Sequence, residues 1–311
     1  MSQTTNTILM IRPVNFRMNE QTAINNYFQT EAKLKNEEIN KKAQTEFDAF
    51  VEVLRNEGVN VIVESDDILM DTPDSIFPNN WVSFHDNGDV AIYPMFAENR
   101  RQERRDEVFI RLEREGFKIE NIIDYTSAED EGLYLEGTGS LVLDREHKIA
   151  YCALSPRADE DLFIEFCEDF DYFPVLFKAN QTVNGERLPI YHTNVMMCIG
   201  TKLAVICLDC IDDKKERKQV LQQLKNSNKT IVNISETQMN QFAGNMLQLS
   251  GANNSDLLVM SKAAHLSLIK AQIEIIEQHC KIISSSLETI ETCGGGSARC
   301  MMAEVFLPKV D

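Results

Sequence analysis

Short apolar runs recur along this chain in a fixed order: two strand-like segments, a helical stretch, and a third strand-like segment. In the middle of the chain, residues 140–144 and 148–154 read as strands, 158–170 as a helix and 172–177 as a strand. The same order follows at 195–199, 203–208, 212–225 and 230–234. On either side it appears at 81–84, 90–93, 100–115 and 118–123, and at 246–249, 257–260, 263–279 and 281–284. A fifth unit is divided between the ends of the sequence. Residues 301–306 would pair with 7–11, ahead of a helix with Ala43, Phe47, Phe50, Val51 and Leu54 on one face and a strand at 59–63. Gly58 and Gly116 stand where helices should stop. Five such units with no block left over predict an α/β fold in one domain, residues 1–311. The expected form is a five-bladed propeller of ββαβ repeats with pseudo-fivefold symmetry, closed by pairing of the N- and C-terminal strands.

Composition narrows the function. With 49 acidic and 31 basic residues the formal net charge is −18, which argues against nucleic acid and anionic membranes as partners. A small-molecule substrate is expected instead. No apolar run approaches the roughly 18 residues of a membrane span, and residues 8–11 are too short for a signal-peptide core. A cytoplasmic protein with eight reduced cysteines is the expectation. Cys207 and Cys210 form a C-x-x-C at the end of a predicted strand. If that strand continues, residues three apart face opposite sides, so no metal site is expected there. A homodimer is only the commonest default.

The chemistry lies just before the first strand of each unit. These positions hold Phe77-Pro78-Asn79-Asn80, Leu135-Glu136-Gly137-Thr138-Gly139, His192-Thr193-Asn194, Gly244-Asn245 and the run from Cys293 through Gly294-Gly295-Gly296 to Cys300. In a ring they would converge, bringing Asn80, Glu136, His192, Asn194, Asn245 and Cys300 to one mouth. A thiol, an imidazole and a carboxylate together are the composition of nucleophilic catalysis.

The segment Gly294-Gly295-Gly296-Ser297-Ala298-Arg299-Cys300-Met301 resembles the GGG…RCM segment of arginine deiminases. His192-Thr193-Asn194 resembles their H-x-D, and Leu135-Glu136-Gly137 their L-E-G. Phe77-Pro78-Asn79-Asn80 stands where that family has F-x-R-D. With the repeats, the resemblance covers nearly the whole chain and points to the pentein superfamily of guanidino- and ureido-modifying enzymes. No inserted helical domain of the arginine-deiminase kind is present in the sequence.

The resemblance implies a role for each residue. Cys300 would attack the trigonal carbon, and His192 would serve as general acid and then base. Glu136 would support His192 and accept substrate N–H groups. Ser155-Pro156-Arg157 is similar to the family's S-x-R and Arg100-Arg101-Gln102-Glu103 to its R-R-x-E, so Arg157, Arg100 and Arg101 are candidates for the substrate carboxylate. The departures set the substrate. Asn80 and Asn194 replace aspartates that face a guanidinium, and an amide offers a donor that suits a neutral ureido C=O. Gly139 replaces a further aspartate, so that contact must be absent or supplied elsewhere. The expected reaction is L-citrulline plus water to L-ornithine, CO2 and NH3, with no metal and no cofactor. The alternatives are an arginine or methylarginine deiminase (a dimethylargininase), an amidinotransferase, or a non-catalytic binding member of the fold.

Overall fold

The computed structural model describes residues 2–310. Its strands form five separate three-stranded sheets and one two-stranded hairpin, and no sheet closes on itself. Every three-stranded sheet has one topology. The first strand runs antiparallel to the second, and the second parallel to the third across a helical connection. In chain order the first four sheets are Val82–Phe84, Asp89–Ile92 and Asn121–Asp124; Leu141–Asp144, Ile149–Ala153 and Phe173–Phe177; Met197–Ile199, Leu203–Ile206 and Thr230–Asn233; and Leu247–Ser250, Asp256–Ser261 and Lys281–Ser285. The fifth joins distant segments, as expected. Ala303–Glu304 lies against Thr7–Arg12, with Leu9 opposite Ala303, and Thr7–Arg12 pairs in parallel with Asn60–Ser65.

Local chemistry explains these elements. The middle strands Ile149–Ala153, Leu203–Ile206 and Asp256–Ser261 are nearly continuous apolar runs, as strands covered on both faces must be. Asp159 and Asp213 cap their helices by accepting from Asp161 and Leu162, and from Lys215 and Glu216, main-chain N–H groups. The helix Asn36–Asn56 buries Ala43, Phe47, Phe50, Val51 and Leu54, the face read from the sequence, together with Ile39. Among the described residues no helix is long and apolar enough to cross a membrane.

The structure corrects the sequence reading in four places. The five units do leave a block over: residues 180–189 form a hairpin of Asn180–Val183 and Glu186–Pro189, with Asn184 and Gly185 left-handed in its turn. The expected helix at 263–279 is two helices, Lys262–Ser267 and Lys270–Glu277. Leu268 is extended between them, and the Gln272 side chain accepts from the Ile269 N–H to start the second. The stretch 100–115 is likewise a 3₁₀ segment, Glu98–Glu103, then a helix, Asp106–Arg114, with Arg104 and Arg105 extended. Arg100, Arg101, Arg104 and Arg105 therefore do not share a helix face. The strand before the C-x-x-C ends at Ile206, and Leu208–Cys210 is a 3₁₀ turn. The Cys207 and Cys210 thiols consequently face each other at 3.1 Å, with Met239 Sδ 3.4 Å from Cys210, instead of pointing apart.

Candidate active site

A short turn precedes the first strand of every unit, and these turns carry the polar residues. Pro78–Asn80 and Ala298–Met301 are 3₁₀ turns, while Gly137–Ser140 and Thr193–Met196 are single helical turns with Glu136 and His192 at their N-caps. Gly137 has φ +43°, and a Cβ there would lie 2.4 Å from the Asn79 carbonyl oxygen, so the backbones approach as closely as only glycine permits. The Thr193 hydroxyl ties two units together. It donates to the Ser140 carbonyl at 2.6 Å and accepts from the Ala153 N–H at 2.8 Å, which fixes the neighbouring His192 and Asn194.

Cys300 is 2 % exposed. Its sulfur lies 3.2 Å from the amide nitrogen of Asn245 and 3.5 Å from that of Asn194. Main-chain and side-chain contacts hold its loop. The Cys300 N–H donates to the Ser297 carbonyl at 3.0 Å, and the Ser297 hydroxyl donates to Glu291 at 2.6 Å. Tyr191 donates from its hydroxyl to the Gly295 carbonyl.

Glu136 is fully buried and is the electrostatic hub. One oxygen accepts from the Phe96 N–H at 3.0 Å. The other faces His192 Nε2 at 2.7 Å, Arg157 at 3.5 Å and Arg100 at 3.8 Å. Burial pushes this carboxyl up, but Arg157, His192 and Arg100 outweigh it and hold the group well below the usual carboxylate range. The carboxylate accepts only, so Nε2 carries the His192 proton. Burial in turn lowers His192 to about 4 against the pull of Glu136. The imidazole is thus neutral at pH 7, with its Nδ1 edge turned toward Gly139, where an added Cβ would sit 2.8 Å from it.

Arg100 is buried and bidentate to Glu103 at 2.8 and 2.9 Å, and it donates to Asn80 Oδ1 at 2.9 Å. Glu103 foremost keeps this guanidinium charged against the cost of burial. Arg157 stacks against Tyr191 and donates to the Asn25 side chain and, at 2.9 Å, to the Thr22 carbonyl. Those partners belong to residues 19–30, a segment that lies across the site. Asn26 donates to the Gly294 and Gly295 carbonyls at 3.3 Å, and the Thr30 N–H to the Thr292 carbonyl at 2.8 Å. Beneath it Asp74 accepts from Asn19 at 2.8 Å and Thr22 at 3.1 Å, while its other oxygen has no partner among the described residues.

The cavity bounded by Asp74, Asn80, Arg100, Arg157, His192 and Cys300 is only about 10 Å³. A far larger cavity, about 720 Å³, is a surface groove beside the helix Asn36–Asn56 and shares no residue with this cluster. Size is therefore a poor guide here. The small cavity is the one lined by His192 and Cys300, and Asn26 of the segment 19–30 borders it.

Cys300, His192, Glu136, Asn80, Asn194, Arg157 and Arg100 thus come together as expected. Arg101 does not. Its guanidinium turns to Glu129 at 3.3 Å and the Met95 carbonyl at 3.2 Å, because the 3₁₀ geometry of Glu98–Glu103 sends consecutive arginines in different directions. Asp74, Asn25 and Thr22 were not singled out in the sequence, and no local pattern marks them. Asn245 was visible at its repeat position. Among the described residues no group of three or more His, Cys, Asp or Glu side chains is placed to hold a metal ion.

The family model described as "N,N dimethylarginine dimethylhydrolase, eukaryotic" matches residues 12–307. The chain belongs to that family. As a dimethylarginine dimethylhydrolase family member it is a pentein-superfamily hydrolase of non-peptide C–N bonds. No curated protein matches the sequence. Among solved structures, the family member resembles apo ArgZ, an arginine dihydrolase from the ornithine-ammonia cycle in cyanobacteria. Identity is 16% and the TM-score 0.73, over 98% of this chain but 41% of that one. The product-bound N-terminal domain of ArgZ matches over 97% of this chain and 99% of that one, at 17% identity and TM-score 0.69. A dimethylarginine dimethylaminohydrolase variant bearing an S-methyl-L-thiocitrulline adduct matches over 96% and 98%, at 14% identity and TM-score 0.62. At these identities the likeness is one of fold: α/β, of the pentein type.

Proposed function

We propose that this chain hydrolyses the terminal C–N bonds of a free amino acid bearing a ureido or guanidino group, and that L-citrulline is the substrate, giving L-ornithine, CO2 and NH3. Cys300 is the nucleophile. His192 starts neutral, so it acts first as a base, taking the thiol proton as the S–C bond forms and returning it to the nitrogen as the C–N bond breaks. Water, deprotonated by His192, then attacks the carbon and expels the Cys300 sulfur, which takes the proton back, and the carbamate of ornithine so formed breaks its remaining C–N bond to give CO2 and the free amine. Glu136 holds the imidazole in the tautomer this requires. Arg157 would exchange Asn25 and Thr22 for the substrate carboxylate, and the unpartnered oxygen of Asp74 suits the α-ammonium.

One observation carries the ureido choice. A guanidinium only donates, so Arg100 fixes the oxygen of Asn80 toward itself; of the two NH2 hydrogens one goes to Asn79 Oδ1 at 3.2 Å, and the other is what Asn80 offers. That nitrogen faces the same small space as the His192 Nδ1 edge, on the Gly139 side. A donor there suits a ureido C=O, and Glu136 is already met by three cationic or imidazole partners.

The second reading is a guanidino substrate, arginine or a methylated arginine. The named activities of the family and of the similar structures favour it, and Asp74 would then supply a counter-charge. Purified protein given citrulline, arginine and dimethylarginine, with ornithine, citrulline and ammonia measured beside a Cys300→Ser control, separates the two. Ornithine from citrulline supports the first reading. Citrulline accumulating from arginine or dimethylarginine overturns it in favour of the second. Silence on all three would leave a binding protein.

We further read the chain as one catalytic domain whose five sheets are the blades of a ring. Eight free cysteines support a reducing, cytoplasmic setting.

A further inference from the structure

Asn245 is fully buried, and every hydrogen-bonding group of its side chain is engaged. Its oxygen accepts from the Arg299 main-chain N–H at 3.0 Å. A main-chain N–H only donates, so the orientation of the amide is dictated by that contact. The nitrogen must then face the opposite way, where it meets two acceptors, the Asn194 carbonyl at 3.1 Å and Cys300 Sγ at 3.2 Å. Asn194 adds a second amide nitrogen 3.5 Å from the same sulfur, and this one is oriented by the Thr138 carbonyl at 3.3 Å.

Two amide donors, neither of them charged, therefore bracket the sulfur in a dry site. A thiol is a weak acceptor, whereas a thiolate accepts strongly. Hydrogen bonds to the charged form of a group favour that form, and exclusion of water strengthens them. A substrate with a neutral head brings no cation to do this work, so the protein has to supply it.

We propose that Asn245 is a catalytic residue of this site, its amide N–H stabilising the negative charge that forms on the Cys300 sulfur as His192 takes the thiol proton. The proposal rests on the reading of Cys300 as nucleophile. It deepens that reading by giving the sulfur a named stabilising partner. Asn245 also anchors Arg299, the residue before the nucleophile, so a purely structural role must be told apart from an electronic one. Asn245→Asp does this. It keeps an oxygen for the Arg299 N–H, keeps the size of the side chain, and replaces the donor at the sulfur with a charged acceptor.

The test is alkylation of Cys300 by iodoacetamide across pH in the full-length protein, quantified on the Cys300 peptide by mass spectrometry. Cys300 is buried, so access sets how fast the reagent arrives. The pH midpoint follows ionisation of the sulfur, and it is the midpoint that is compared. The midpoint is expected to rise by about one pH unit or more in Asn245→Asp and by less, in the same direction, in Asn245→Ala. Turnover of citrulline should fall with kcat and leave KM nearly unchanged. An unchanged midpoint in a variant with the wild-type circular dichroism spectrum overturns the proposal. Should the Asp variant fail to fold, the Ala variant decides alone. If neither citrulline nor arginine is turned over, the substrate reading fails while the alkylation profile still reports on Asn245.

Discussion

Arg100 donates to the side-chain oxygen of Asn80 at 2.9 Å, and that contact determines which end of the amide remains for a substrate. Replacing Asn80 by Asp keeps the bond to Arg100 but converts the remaining NH2 into a charged acceptor. Asn80→Asp should therefore lower kcat/KM for citrulline by about 100-fold, the usual loss when a donor to a developing oxyanion is removed. It should raise the rate on arginine. Steady-state assays of both substrates check the direction, and equal losses on the two would speak against the role given to Asn80.

Gly139 faces both halves of the chemistry. A Cβ at this position would lie 2.4 Å from Asn80 Nδ2 and 2.8 Å from the Nδ1 and Cε1 atoms of His192. Gly139→Ala is expected to displace one or both, costing about 100-fold in kcat. The accompanying loss of stability should be about 1–3 kcal/mol, as for other overpacked sites. Thermal unfolding and kinetics measured on the same sample separate the two effects.

Arg157 couples the site to the segment above it. Its guanidinium holds Thr22 and Asn25 in place and neighbours Glu136. Truncation to Ala should loosen residues 19–30, so that limited proteolysis cuts there faster than in the wild type. It should also raise KM by more than it lowers kcat, since the expected task of Arg157 is to hold the substrate carboxylate in both ground and transition states.

Glu291 gives a pH signature. Burial lifts its carboxyl to about 7, from an ordinary value of 4.5, although Ser261 and Ser297 donate to it. Between these values the folded state keeps a proton that the unfolded chain has released, so stability falls as pH rises through that window and stays lower above it. A glutamine carries no such penalty. Glu291→Gln is expected to stabilise the protein at pH 8 by up to about 3 kcal/mol and to leave it unchanged at pH 4. Denaturant titrations at the two pH values test this.

How much of this was legible in the sequence depended on what holds each part together. The five units were readable because each buries an apolar face of its own, and apolar periodicity is visible one residue at a time. Helix ends at Gly58 and Gly116 and the polar turns before the first strands followed from the same pattern. The segment over the site was not readable. Asn19, Thr22, Asn25 and Asn26 have no periodicity, and polar contacts across 52 to 268 residues of sequence hold them. Asp74 is invisible for the same reason. Arg100 and Arg101 were indistinguishable as neighbours in a basic run, and only the 3₁₀ turn separates them. The C-x-x-C departs from expectation because one residue of strand, more or less, decides whether two side chains oppose or meet.

The pairing of Ala303–Glu304 with Thr7–Arg12 also bears on the order of synthesis. The strand made first waits for one made nearly three hundred residues later, and that later strand begins three residues after Cys300. The seam and Cys300 thus reach the rest of the protein in the same event. Such a contact spans nearly three hundred residues, the kind that forms slowly. A nascent chain can carry Glu136, His192 and Asn245 for some time before Cys300 is there to join them, so the cluster is complete only once the fold can close around it.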